Sequence, residues 1–305
     1  MQPPAIIDRP DSPHLDTLCQ ELADRAVALD RQSAHGIQGS GHAAPDAASR
    51  GRPAPRPADD LWPVAQMQLC GEYGVYRWFL PAEHGGLNWS DRDVVRGYLR
   101  LGAACLTTTF IITQRTGACL RIAQSANRLA QERWLPGLAA GDLFATVGIS
   151  HLTTSRRHLA APVLTARRRP AGYVLDGFSP WVTGGDRADV IVLGATLEGG
   201  QQILVALPTD LSGVKVPDPP RLVGLTASQT GPVECHKVQV SNDCLLAGPA
   251  PEVMKLGSGG GTGGLQTSTL AIGLSKAAIE YLATQAVTRN DLAAAADLGI
   301  ARNLL

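Results

Sequence analysis

DGFSPWVTGGDRADVIVLGA, residues 176–195, is the stretch on which the fold turns. Gly184-Gly185 separates a segment ending in Trp181, Val182 and Thr183 from DVIVLGATL at 189–197, an unbroken apolar run stopped by Glu198-Gly199-Gly200. A short run of that kind, rich in β-branched residues and bounded by turn signals, predicts a strand. QQILVALP at 201–208 follows the glycine pair and predicts its neighbour. The same pattern recurs in FATVGIS (144–150), PVLTARR (162–168), GYVLDG (172–177) and VECHKVQV (233–240), with no helical period between them. The predicted unit is an antiparallel β-domain, a small barrel or sandwich punctuated by Pro and Gly. In VECHKVQV the apolar phase moves from Val233 and Cys235 to Val238 and Val240, which predicts a bulge near His236.

Upstream the period changes to that of helices. Leu15, Leu18, Leu22, Ala26 and Leu29 recur at three and four within 12–34, with Asp11 and Ser12 as caps. Leu61, Val64, Met67 and Leu69 predict a second helix over 61–73, ended by Pro81 and Gly85-Gly86. Ser90 and Asp93 have capping-box spacing ahead of a helix running to about Ala104, and two more helical patterns occupy 106–124 and 126–134. Between the first two helices, 32–59 holds almost no large apolar residue, so it cannot bury enough surface to fold and reads as a linker.

Downstream of Pro251 the chain passes through LGSGGGTGG into one more helix, where Leu270, Leu274, Ala278, Tyr281 and Leu282 share a face. A lone amphipathic helix leaves its stripe exposed, so the expectation is the start of a C-terminal bundle cut short. The predicted class is α+β: an N-terminal helix (1–31), a low-complexity linker (32–59), an N-terminal helical domain (60–142), a middle β-domain (143–248), a Gly-rich hinge (249–264) and a short C-terminal helical domain (265–305).

Composition narrows the function. The 305 residues are 44% apolar and carry 27 basic and 27 acidic side chains, so no global field attracts nucleic acid or anionic membrane. The six cysteines are scattered with no metal spacing and predict reduced thiols. Residues 1–11 lack the basic end and apolar run of a secretory peptide, and GAACLTTTFIIT stops at Gln114 and Arg115, too short to span a bilayer; the expected location is cytoplasmic. Gly259, Gly261 and Gly264 satisfy GxGxxG formally, but Pro249 and Pro251 stand where a strand should, so they read as a hinge. His151 and His158 are not at ligand spacing, and no metal site is expected. Arg156, Arg157 and Arg167 to Arg169 could meet phosphate or form a solvated edge. Trp181 beside the Thr183 hydroxyl at a strand end could cover a planar ring, or pack in the core.

The order of parts and the wording of their joints resemble the acyl-CoA dehydrogenase family of flavoproteins, collinearly from about Leu61 to Leu292. FLPAEHGGLNWS is similar to the family's turn after its second helix, and ERWLPGLAAGDLFA to its passage into the sheet. DGFSPWVTGGDRADVIVLGA resembles its tryptophan-x-threonine flavin strand, and VGLTASQTGPVECHKVQVSNDCLLAG its last middle-domain strands. TSTLAIGLSKAAIEYLATQAVTRN resembles the first helix of its bundle. The resemblance implies FAD between β-domain and bundle, a homo-oligomer, an acyl-CoA substrate and an electron-acceptor flavoprotein. It implies α,β-dehydrogenation, with a glutamate removing the α-proton and the flavin taking the β-hydride. By the same resemblance Trp181 and Thr183 would contact the flavin, Ile149 and Ser150 its pyrimidine side, and Arg289 its pyrophosphate.

The sequence also departs from that pattern. The family's Glu-Pro is His151-Leu152, and its Gly-Ser-Asp is Ser155-Arg156-Arg157, which puts Arg156 in the substrate-binding place of a serine. Leu292 replaces a phenylalanine. Gly263-Gly264 occupies one of the two places where the family holds its base, and the other lies in a late bundle segment; no catalytic residue is assigned. Loss of a positioned base costs on the order of a hundred to ten-thousand-fold in rate. The alternatives are a flavin- or acyl-carrier-binding homologue without turnover and a flavin-dependent monooxygenase-type relative. Limited proteolysis is expected to cut first within 32–59, and protection of that segment would refute the linker reading.

Overall fold

The computed structural model describes residues 6–35, 61–153, 161–256 and 265–289, together with Gly299. Most of the 32–59 linker, the motif at Ser155 to His158, the glycines at 259–264 and Leu292 lie outside the described residues.

Helix α1 (Pro13–His35) buries Leu15, Leu18 and Leu22, the stripe its spacing predicts, and Arg100 of α3 (Asp91–Ala104) pairs with its Asp16. Helix α2 begins at Val64 behind Pro63 and ends at Glu72. Its buried face is Gln66, Met67, Leu69 and Cys70, and Val64, assigned to that face by spacing, is exposed. Residues 6–9 lie across this region: Ile7 accepts at 3.2 Å from the indole of Trp78, and Asp8 at 2.8 Å from that of Trp89, while the two rings stack 4.2 Å apart. Gly86 closes the turn after Pro81 because a Cβ there would stand 1.8 Å from the Leu80 carbonyl oxygen. Ser90 caps α3, accepting from the Asp93 amide at 3.2 Å and donating to its carboxylate at 2.6 Å.

Helices α4 (Leu106–Ala123) and α5 (Arg128–Ala140) complete the N-terminal half. The helix expected to stop near residue 134 continues through Pro136. Proline deprives the carbonyl of exposed Glu132 of a donor, while Leu135 and Leu138 gain full burial on the next turn. Gly141, at φ 88°, then ends the helix.

The middle of the chain is an eight-stranded sheet. Its strands are β1 (Ala145–Gly148), β2 (Leu164–Arg169), β3 (Gly172–Thr183), β4 (Val190–Leu197), β5 (Gln202–Pro208), β6 (Val214–Lys215), β7 (Thr230–Ser241) and β8 (Leu245–Ala250). The order is β6-β7-β3-β2-β4-β5-β8, with β1 also on β4. The expectation of a wholly antiparallel domain is corrected here. β1 and β2 both run parallel to β4, sharing one of its edges: β1 takes Val190 to Leu193, and β2 takes Thr196 and Leu197. Residues 149–163, which include helix α6 (Ser150–Thr153), carry the chain between them, the long crossover that parallel neighbours require.

β4 is buried on both faces, which explains its unbroken apolar run. Val190 and Val192 join the core beneath α4 and α5; Ile191, Leu193 and Ala195 join the core on the opposite side of the sheet. The predicted bulge is present: β3 pairs Leu175 with Val238 and Gly177 with Cys235, leaving an extra residue in β7, and the Lys237 amide donates to Asp176 at 3.3 Å.

Helix α7 (Leu265–Thr288) packs on α3 through Leu270 of the predicted face together with its neighbours Thr269 and Gly273, not through the rest of that face. Thr269, Leu270 and Gly273 are buried, whereas Leu274, Tyr281 and Leu282 are exposed. The contact is close because both sides are small: a Cβ on Gly273 would lie 2.9 Å from the Leu99 oxygen and 3.1 Å from the Ala103 amide. Among the described residues, no helix is long and apolar enough to cross a membrane. Gly273→Ala should cost about 1–3 kcal/mol in denaturant unfolding by pushing α7 off α3, and an unchanged midpoint would contradict this packing.

Candidate functional site

The site expected from sequence is built where β1 ends and where β3 turns. β1 delivers Ile149, buried to 4% exposure, to the start of α6, and Leu152 closes that turn by donating to the Ile149 carbonyl at 3.0 Å. Ser150 follows, with its hydroxyl oxygen buried and without a hydrogen-bond partner among the described residues. Such an atom loses water without compensation, and that loss is relieved when a polar ligand reaches it.

On β3, Pro180, Val182 and Thr183 are buried, yet Trp181 between them is 47% exposed. An indole left half in water on a strand this well buried presents a flat apolar face to whatever lies outside. Thr183 lies opposite Thr230 of β7, their hydroxyls 2.9 Å apart, and Ser228 extends the chain of hydroxyls at 2.8 Å from Thr230. The backbone supports this corner tightly. Leu225 and Gln229 hold positive φ of 62° and 47°, and the Gly184 amide donates to the Ser228 and Gln229 carbonyls at 3.1 Å each.

His151, the residue after Ser150, faces inward. Its ring is 7% exposed, Nε2 lies 2.8 Å from the Gly194 carbonyl, and Nδ1 lies 3.4 Å from the Ser179 hydroxyl. A carbonyl accepts only, so Nε2 bears the proton, and Ser179 donates to Nδ1. Burial holds its pKa below the usual imidazole value, so the ring is neutral near pH 7. Both nitrogens are thus committed to fixing α6 against β3 and β4; His151 is a structural tie between the two halves of the site.

The remaining expected residues are less drawn in. Arg289 stands exposed just past the last turn of α7, its amide donating to Gln285 at 3.0 Å. Arg156 lies outside the described residues. Arg167, Arg168 and Arg169 are exposed at the end of β2, as a solvated edge should be. No cluster of metal-ligating side chains occurs among the described residues.

One buried charge was missed from sequence. Arg115, which marked only the end of an apolar stretch, is 1% exposed in α4, with its guanidinium 3.8 Å from the Tyr76 ring centroid. Its Nη2 donates to the Leu138 carbonyl at the end of α5 and to Leu143 at 3.4 Å, while Nε has no partner among the described residues. No local signal marks it, because Gln114 and Thr116 flank it in the helix and the groups that bury it come from other elements.

Known proteins can now be set beside this geometry. Residues 44–142 match the family model described as acyl-CoA dehydrogenase, N-terminal domain. The mitochondrial short-chain specific acyl-CoA dehydrogenase of Bos taurus is 22% identical over 236 residues, 75% of this chain and 57% of that protein. Cyclohex-1-ene-1-carbonyl-CoA dehydrogenase of Geobacter metallireducens is 27% identical over 178 residues, 58% of this chain and 40% of that protein. The structure of an acyl-CoA dehydrogenase complexed with FAD from Bacillus anthracis superposes at a TM-score of 0.66 with 20% identity, covering 90% of this chain and 44% of that one. The dibenzothiophene monooxygenase of Paenibacillus shares the fold at a TM-score of 0.62 and 19% identity, over 88% of this chain and 63% of that one. The match therefore spans 57% and 40% of the length of these two curated relatives.

Because His151 is held neutral in the fold and is free to protonate when unfolded, the unfolded state binds more protons as pH falls below about 6.5, and stability drops with it. His151→Gln, which keeps a donor toward Gly194, should flatten the melting temperature between pH 7.5 and 5.5 relative to the parent chain. An identical slope in both proteins would show that His151 does not carry this dependence.

Proposed function

We propose, taking as premise that the chain belongs to the acyl-CoA dehydrogenase family, that it is a FAD-binding oxidoreductase acting on an acyl thioester. The supporting observation is local. Trp181 lies half exposed on a buried strand, Thr183 offers a hydroxyl two residues on, and the partnerless Ser150 hydroxyl closes the strand β1. A planar ring with a hydrogen-bonding edge suits that set: the indole covers its face, and the hydroxyls meet its heteroatoms. The residues present therefore fit the cofactor of the family.

When bound, FAD would supply the acceptor for a hydride and pass the electrons to a second protein. The work of this chain is to hold and shield. Trp181 would exclude water from one face, Thr183 and Ser150 would orient the ring, and the Ile149 backbone would back it. Arg289 would pair with the pyrophosphate, and Arg156 would meet a phosphate of the thioester's carrier. The exposed Leu274, Tyr281, Leu282 and Val287 of α7 favour a homo-oligomer, and six free cysteines suit a reducing cytoplasm.

A second reading is favoured by a different feature. Gly263-Gly264 stands at one of the two places where the resembling family holds its base, so no carboxylate is assigned to take the α-proton, and a flavin- or acyl-carrier-binding homologue without turnover, or a monooxygenase-type activity, is the alternative.

The visible spectrum of the purified protein, with and without a mixture of acyl-CoAs, separates these. A yellow protein that bleaches supports dehydrogenation; a yellow protein that does not supports the second reading; a protein that stays colourless when offered FAD overturns every flavin-dependent reading and leaves acyl-carrier binding alone. Trp181→Ala is expected to weaken FAD retention about tenfold or more while leaving the fold intact by circular dichroism, and equal retention would remove Trp181 from the site.

A further inference from the structure

Three hydroxyls meet at the corner where β3 gives way to Gly184, and they bring three protons to two hydrogen bonds. Thr183 of β3 and Thr230 of β7 lie 2.9 Å apart, and Ser228, in the turn Thr226–Ser228 that leads into β7, lies 2.8 Å from Thr230. Thr230 is the middle member of the chain. Among the described residues, no other hydrogen-bond partner is in reach of the three side-chain oxygens.

Exposure decides where the third proton goes. Ser228 is fully buried and Thr183 is 3% exposed, whereas Thr230 is only partly buried. If the chain ran in one direction, Ser228 or Thr183 would end it with a buried O–H that nothing receives, the costly arrangement in a protein interior. A hydroxyl oxygen has two lone pairs, so Thr230 can accept from both neighbours at once and keep its own O–H for the outside. In this pattern both sealed protons are bonded, and the remaining one sits on the residue that reaches the surface.

The backbone holds the corner in place. The Gly184 amide donates to the Ser228 and Gln229 carbonyls at 3.1 Å each. The Thr226 hydroxyl accepts from the Leu222 amide at 3.3 Å and donates to the Leu222 carbonyl at 2.8 Å, and Leu225 and Gln229 are kept at positive φ. Strain of that kind persists only where the surroundings impose it. The corner adjoins the half-exposed Trp181 indole, two residues before Thr183 on the same strand. We infer that Thr230 is the hydroxyl that donates to the ligand here, to an acceptor atom on the edge of the flavin ring, and that Thr183, its proton committed to Thr230, can only accept. This rests on the flavin reading and adds to it a residue from β7 and the direction of its hydrogen bond.

The test titrates FAD into the full chain, stripped beforehand of any bound flavin, and follows both the affinity and the position of the visible absorption bands, which respond to hydrogen bonds at the ring edge. Thr230→Val, which keeps size and β-branching, is expected to weaken FAD about tenfold or more and to shift the bands, while Thr230→Ser stays within about threefold of the parent with bands unshifted. Ser228→Ala takes a donor from Thr230 but leaves its outward O–H, so affinity and bands should match the parent even where the melting temperature falls. If Thr230→Val does not fold by circular dichroism, Thr230→Ala makes the same comparison. Equal FAD affinity in Thr230→Val and the parent, an equal loss in Ser228→Ala, or a Thr230→Ser variant as weak as Thr230→Val would each overturn the assignment while leaving a yellow parent chain, and so the flavin reading, standing. A parent chain that takes up no FAD would overturn both.

Discussion

β4 is the strand against which the rest of the molecule is set. It is buried on both faces, with β5 along one edge and β1 and β2 sharing the other, so every side chain from Val190 to Ala195 is enclosed or, at Gly194, replaced by close approach. Burying each Val, Ile or Leu there contributes about 1.5–3 kcal/mol. Gly194 allows Leu152 to come within 2.4 Å of where its Cβ would stand, and its carbonyl anchors His151. The position of the β1–α6 corner, and so of Ile149 and Ser150, follows from this strand. Moving β4 by one residue would exchange its two faces and detach the helices from the sheet at the same time.

Much of this was legible locally. The strands, the bulge at His236 and the capping box at Ser90 are written in short-range patterns, where the nearest few residues decide the conformation. Long-range facts were not. That β1 and β2 lie parallel to one edge of β4 is set by pairing between segments far apart in the chain, and no periodicity encodes such pairing. The run through Pro136 was misread because the cost of the missing amide is local whereas the burial of Leu135 and Leu138 that offsets it is tertiary. α7 shows the same limit: hydropathy marks its leucines, but backbone proximity selects Gly273 for the contact.

The candidate site divides along the same line. The strand that carries Trp181 and Thr183 was readable from its local pattern, whereas the half exposure of the indole beside a buried Thr183 required the fold. Ser150 was readable by resemblance alone; its partnerless hydroxyl required the fold. Arg115 was not readable as more than a break in an apolar stretch, since a buried charge is recognised by what surrounds it, and its surroundings come from α2, α5 and the loop after α5.

His151 joins these observations. A glutamate in its place would be buried facing the Gly194 carbonyl, an acceptor, and would need to stay protonated or turn away. A neutral imidazole donates there from Nε2 and accepts from Ser179 at Nδ1, so the histidine suits this interior and the carboxylate does not. His151 and Leu152 act together at this corner: Leu152 fills the space over Gly194 while His151 takes its carbonyl. The neighbouring Ser150 keeps its hydroxyl aside from that tie. The corner is thus fastened to the sheet through His151 and Leu152, while the Ser150 hydroxyl and the half-exposed Trp181 indole take no part in that tie.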